Sequence, residues 1–479
     1  MSVSLFDSFL TTPAMIAVFD DGAVVQAMFR FEAALAQAQA AHGLIPDSAA
    51  RAIASVCNAP LYDIPALLHA GRRAGSLAIP LVKELTNTVA LYDQPASTFV
   101  HWGSTSQDVI DTAMVLVTRD ALALLDTGLE QLTGALLALA ERHAATPVLA
   151  RTLMQPAQVT SFGFKLAGWA APLLRARAQL RAAAGRALQL QLGGAVGTLS
   201  VLGEQGPAVA AHMAGQLGLA TPAMNWHTQR DEWVRLGLEV AVLSGSLGKI
   251  ATDLSLMAQG EIGELAEPSG AGRGGSSAMP HKRNPVAAMI ALAGAGRTPH
   301  AAAALLGAMG QQHERGLGNW QAELAEWPGL FLSTHGALSA LNDAFGALQV
   351  DPARMRSNID ALGGLVYGES VAACLAGTIG RPAAYALVEQ LCRTAVANGR
   401  PLWDVAQLAI ENDSRLQGKI DLARWQALFD PFAAAAPAAA LARTQLAHLY
   451  TLHQAYAQSA APTETTPHTD HHAGMSHEL

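Results

Sequence analysis

The chain has 479 residues, a net charge of −8 and a pI near 6.0, so it has no basic excess with which to displace counterions from a polyanion, which excludes a nucleic-acid binder. A hydrophobic share of 51% excludes an intrinsically disordered chain, and an aromatic share of 5% argues against a large β-sandwich. Charged residues make up only 14%, against about 25% in ordinary soluble domains, so the surface is either bland or covered by other subunits.

The N-terminal stretch MSVSLFDSFLTTPAM carries Asp7 and no basic region, unlike a secretory signal. A first helix is expected over about Val24 to His42, stopped by Gly43 with Pro46 beyond it. Further short helices lead to the loop HWGSTSQD (His101–Asp108), which closes an N-terminal helical domain, residues 1–108. Next come two regular apolar seams, Leu122, Leu125, Leu129, Leu132, Leu136 and Leu139, then Leu236, Val240, Leu243, Leu247, Ile250, Leu254 and Met257. Spacings alternating between three and four put each set on one face of a long helix, as in a bundle. This central long-helix domain, 109–350, is interrupted by LGGAVGTLS (Leu192–Ser200) and by a Gly/Ser-rich loop, 267–285.

Asp351-Pro352 opens a C-terminal helical domain, 351–455. Its most apolar run, PFAAAAPAAALA (Pro431–Ala442), is too short and too interrupted by proline to cross a bilayer, so no membrane partner is expected. The polar tail, 456–479, is expected to be disordered, and its His468, His471, His472 and His477 have no companions that would make a metal site. Cys57, Cys374 and Cys392 are too scattered for a disulfide framework, so a reducing, cytoplasmic setting is expected. No βαβ alternation appears, and the fold class is all-α.

Three polar segments break the Ala/Leu-rich background: His101–Thr112, Arg151–Gln155 and Gly274–Asn284. The last combines glycines, two serines, an imidazole, two cations and an amide. Glycines let a loop close over a ligand, serine can carry a proton, and Lys282 with Asn284 can hold a carboxylate and a developing oxyanion. The spacing is not that of a phosphate loop.

The run GSSAMPHKRN (Gly275–Asn284) resembles the signature loop of the fumarase/aspartase/argininosuccinate lyase superfamily, GSSxMPxKxN. HWGSTSQD is similar to that superfamily's HxGxTSxD segment, and Arg151-Thr152 with Gln155 to its RTHxQ segment. The resemblance runs from about Leu5 to Leu449. It implies a three-domain all-α subunit whose long helices assemble into a homotetramer, with active sites shared between subunits, and a β-elimination or its reverse on a small carboxylate substrate. It also implies that Ser276 moves the proton and that Lys282 and Asn284 bind the carboxylate that becomes a dianion. His101, Thr105, Ser106, Arg151, Thr152, Gln155, Ser277 and Met279 would contact substrate. No metal or organic cofactor is implied.

Two departures carry chemical information. Where the lyases place histidine after Arg-Thr, this chain has Leu153, and where the signature continues to a glutamate it has Met289. In the adenylosuccinate and argininosuccinate lyases these two residues pair to protonate a departing nitrogen. An amine needs such an acid, worth roughly 10²–10⁴-fold, whereas a carboxylate with a pKa of about 4 leaves unaided. A lyase fold without the acid is therefore suited to expelling, or in reverse adding, a carboxylate. If that carboxylate belongs to the substrate, addition closes a lactone.

WHTQRD (Trp226–Asp231), QHER (Gln312–Arg315) and SLAIPLVK (Ser76–Lys83) resemble segments of the superfamily's lactonising branch, which closes a carboxymuconate into a lactone in aromatic-acid catabolism. A tricarboxylate needs several cations, and Arg151, Arg230, Arg273 and Arg315 are the candidates. Asp108 and Thr112 could instead serve as helix caps, and His227 and His313 as packed polar groups. Two other functions compete. One is an adenylosuccinate-type C–N lyase. The other is an inert scaffold in which Leu153 and Met289 are core fillers recording a dead site.

Overall fold

The computed structural model describes residues 5–270, 272, 274–276 and 278–458. Arg273, Ser277 and the tail histidines lie outside the described residues.

The first long helix, α1 (Asp21–Ala41), starts earlier than the apolar pattern suggests because the Asp20 carboxylate accepts the Ala23 N–H at 2.7 Å and caps it. The backbone of the molecule is α2 (Ser106–Arg142), whose 37 residues make a rod about 55 Å long. Asp108 accepts the Thr105 N–H at 3.0 Å and so fixes where it begins. A hairpin follows, β1 (Pro147–Thr152) antiparallel to β2 (Gln155–Ser161), leading into α3 (Phe162–Ala187). Then come α4 (Asp231–Met257), α5 (Val286–Ala308) and α6 (Asn319–Phe345).

These helices alternate in direction. Arg230 and Trp320, at the starts of α4 and α6, both bond Asp111 in the first turns of α2. Gln191, just past α3, bonds Thr112, and Arg315, past α5, bonds Thr105. At the opposite end, Gly163 N–H donates to His143, and Arg151 on the hairpin meets Glu264 beyond α4. One end therefore carries the start of α2, the other the hairpin and the loop 267–285.

Leu125, Leu129, Leu132 and Leu136 of the first seam are buried, as is every member of the second from Leu236 to Met257. Small residues bring α5 close to its neighbours. A Cβ on Gly294 would stand 2.6 Å from the Ser333 carbonyl oxygen, and one on Gly248 would stand 2.7 Å from Ala295. By length and composition α4 could span a membrane, but half of its apolar window is buried inside the bundle.

Beyond α6, Leu265–Ala266 pairs antiparallel with Gln349–Val350, and α7 (Pro352–Asp360) is capped by Asp351 at 2.8 Å. A separate small core forms around α8 (Gly368–Ile379) and α9 (Arg381–Asn398), centred on Leu375, Leu402 and Trp425. The apolar run that reads as proline-interrupted is instead one continuous helix, α10 (Pro431–Gln458). Pro437 removes a single rung, and burial of Ala435, Ala439, Ala442 and Leu446 holds the helix together across it.

Candidate active site

At the α2 start, His101 sits in left-handed backbone (φ 59), which strains a non-glycine residue, and its Nδ1 lies 2.6 Å from the buried Glu32 carboxylate. Arg315 Nη1 donates to Thr105 Oγ1 at 2.8 Å and Nη2 to the Ala195 carbonyl at 3.0 Å. Asp108 closes the cluster. Besides Thr105 it accepts the N–H groups of Gly193 at 3.0 Å and Gly194 at 2.9 Å, and His227 Nε2 lies 2.7 Å from it. Only glycine fits this turn, because a Cβ on Gly193 would meet Gly197 Cα at 2.8 Å, and Gly194 has φ 71. The stretch LGGAVGTLS, which in sequence only breaks the helical pattern, is thus part of the site's wall. Asp108 does cap, as its alternative reading held, whereas Thr112 clamps Gln191 by both its carbonyl and its N–H.

Arg230 requires a correction. It is buried, with its guanidinium held by Asp111 at 2.8 Å and by Glu323 at 2.5 and 3.1 Å, and lies 4.4 Å above the Trp226 ring. No face of it is left for a substrate carboxylate, so its role is to anchor α2, α4 and α6 to one another. Burial pushes the Glu323 carboxyl above the usual range, with the Asp111 charge adding to it, even though Arg230 opposes the shift.

The α2 end carries the other motifs. Leu153 and Met154 form the hairpin tip with φ of 50 and 65, two left-handed residues where Asn-Gly is the comfortable pair. Leu153 is 96% exposed and Met289, in the first turn of α5, is 53% exposed. Neither is packed into the core of its own chain.

Arg151 meets Glu264 through two bonds, at 2.8 and 3.1 Å, and Asn358 supports the same carboxylate at 2.9 Å. Its charge is shared, although the side chain remains partly exposed beside Thr152 and Gln155. Near it, in the first turn of α3, stands Lys165, a cation that the motifs did not flag. Burial lowers its pKa, helped by the charges of Lys249 and Arg151 and opposed by those of Asp253 and Glu264.

The signature loop begins at Gly274, whose carbonyl accepts the Asn284 N–H at 2.7 Å. Ser276 Oγ accepts the Met279 N–H at 3.1 Å, Met279 and Lys282 are exposed, and Asn284 donates to Gly275 at 3.3 Å. Glu267 pins the start of α5 by accepting the Ala287 and Ala288 N–H groups, each at 2.9 Å. Among the described residues, no group of three or more His, Cys, Asp or Glu is placed to hold a metal ion.

One chain therefore brings His101, Thr105, Ser106 and Arg315 together at one end, and Arg151, Thr152, Gln155 and the Ser276–Asn284 loop at the other. The sequence motifs missed Glu32, Glu264 and Lys165. Glu32 did leave a signal, an acid within the apolar stretch Phe31–Ala36.

A family described as lyase matches residues 9–298. The chain belongs to this lyase family. It is 47% identical over 424 residues to the 3-carboxy-cis,cis-muconate cycloisomerase of Bradyrhizobium diazoefficiens, covering 88% of this chain and 93% of that one. Its fold is similar to the crystal structure of 3-carboxy-cis,cis-muconate lactonizing enzyme from Pseudomonas putida, with a TM-score of 0.87 and 41% identity over 95% of this chain and 99% of that chain. It is also 40% identical over 428 residues to the nitrosuccinate lyase of Streptomyces davaonensis, covering 88% of this chain and 89% of that relative.

Proposed function

We propose that this lyase-family chain is an intramolecular cycloisomerase that closes 3-carboxy-cis,cis-muconate into a carboxymuconolactone, a step of protocatechuate catabolism. The observation that carries this reading is the paired replacement of the nitrogen-protonating acid by Leu153 and Met289, both exposed at the polar end of the bundle, while Ser276, Lys282 and Asn284 are kept.

In the lactonising direction one substrate carboxylate oxygen attacks a diene carbon, a step that needs positioning more than activation. The displaced electron pair collects on a different carboxylate as an enediolate, which Lys282 and Asn284 stabilise. Ser276 then delivers a proton to the adjacent carbon and the dianion collapses to a carboxylate. Arg315, Arg151 and His101 hold the attacking carboxylate and the third one, with Thr105, Ser106, Thr152, Gln155, Ser277 and Met279 around them.

The site is shared between subunits of a homotetramer. The about 55 Å length of α2 keeps the His101 and Ser276 ends of one chain apart, so a complete set needs more than one copy. A cytoplasmic setting goes with this reading, supported by three free cysteines.

Loss of the diene absorbance on adding 3-carboxymuconate is the expected result, and a flat trace under all conditions would sink the proposal. A second reading, elimination from a substituted succinate, is favoured by the likeness to nitrosuccinate lyase. Turnover of nitrosuccinate or adenylosuccinate in place of the muconate would select it.

A further inference from the structure

Glu32 belongs to none of the polar motifs, yet it lies directly behind the site. Its side chain is fully buried on α1, Oε1 is 2.6 Å from His101 Nδ1, and Oε2 has no hydrogen-bond partner. A buried carboxylate is costly unless a cation faces it.

The titratable neighbours identify that cation. Cys57, just past the short helix Asp47–Ser55, has its thiol pushed up by burial and by the Glu32 charge, so it stays neutral and supplies none. Asp108, on α2, is a second negative charge acting on His101, and it faces His227. Arg315 bonds the Thr105 hydroxyl and the Ala195 carbonyl. That leaves His101. Burial alone would push its pKa down, but the charge of Glu32, its hydrogen bond and the charge of Asp108 together hold it above the ordinary histidine value.

The same helix holds the loop at a further point. Gln39, seven residues after Glu32 and so on the same face two turns on, donates to the Trp102 carbonyl at 2.6 Å. These two contacts hold the strained left-handed backbone of His101 in place.

We infer that Glu32 is a positioning residue: its buried carboxylate fixes the His101 ring through Nδ1, so that Nε2 is aimed at a substrate carboxylate and the Nδ1 proton is held by a fixed negative partner. The inference rests on the polycarboxylate reading above for the identity of the ligand, but not for the charge state of the ring.

The test therefore has two arms. In enzyme labelled with ¹³C-histidine, the His101 ring signal is assigned by its loss in His101→Gln and titrated without substrate. In wild type it stays protonated above the ordinary histidine range, and in Glu32→Gln it titrates at or below that range, with partial return in Glu32→Asp. In the other arm, Glu32→Gln loses kcat/KM about tenfold more at about pH 8 than at about pH 6, and the loss appears in KM more than in kcat.

A wild-type ring already neutral at about pH 7, or equal titration in both proteins, overturns the inference, and the wild-type result stands even if the variant fails to fold. A pH-independent loss in the variant also overturns it, since a purely structural lesion lowers activity alike at every pH. If 3-carboxymuconate is not turned over, the ring titration still decides.

Discussion

At the end of the bundle where α2 begins, each charged side chain of the cluster has a partner within one chain, although single atoms such as Glu32 Oε2 are left without one. His101 has Glu32, Thr105 has Arg315, and Asp108 gathers two glycine N–H groups and His227. At the end where α2 finishes, Leu153, Met154 and Lys282 stand exposed, the hairpin tip is strained, and among the described residues Ser276 bonds its own loop. Folding completes the former end, while the latter faces outward. A site assembled between copies has this form, with a rigid half that places fixed charges and an open half that brings the proton carrier. The low charge content of the chain fits the proposed assembly, in which other subunits would cover apolar surfaces such as Leu153 and Met289.

Several substitutions would break or sharpen this contrast. The largest effect is expected at the open end. Ser276→Ala should lower kcat by on the order of 10³ with no change in melting temperature, because among the described residues its hydroxyl bonds only backbone N–H groups of its own loop. Near-normal turnover would assign the proton to another group. At the rigid end, Arg230→Met leaves Asp111 and Glu323 buried without their cation and should destabilise the fold by about 3–5 kcal/mol, read by denaturant unfolding. A neutral result would mean that water or a proton replaces the guanidinium. The smallest effect belongs to the hairpin tip. Met154→Gly relieves one left-handed residue and should stabilise by about 1 kcal/mol in thermal unfolding. Destabilisation would show that the methionine side chain makes contacts worth more than its strain.

The contrast also explains what is legible in the sequence. The seams of α2 and α4 and the loop Gly275–Asn284 can be read there because periodicity and a contiguous motif are local properties. Arg230 misleads for the same reason. It lies in a motif-like stretch, but its partners Asp111 and Glu323 are 119 and 93 residues away, and only the fold shows that they enclose it. Glu32 shows in the sequence only as an acid in an apolar stretch, and its role is hidden because its partner His101 is 69 residues distant. Pro437 has the local character of a helix breaker, yet long-range packing carries the helix through it. The importance of Leu153 and Met289 is visible as a departure from a pattern, but that both side chains stand outside the core of their own chain is not.

The most direct test of the shared site is subunit mixing. Ser276→Ala and Arg315→Ala enzymes, each inactive alone, are denatured together and refolded. If the loop and the His101 end of a site come from different copies, sites containing neither lesion form again and activity returns to about a quarter of wild type, as random pairing requires. If one chain supplies the whole site, every site keeps a lesion, and a mixture as inactive as its components would contradict the account.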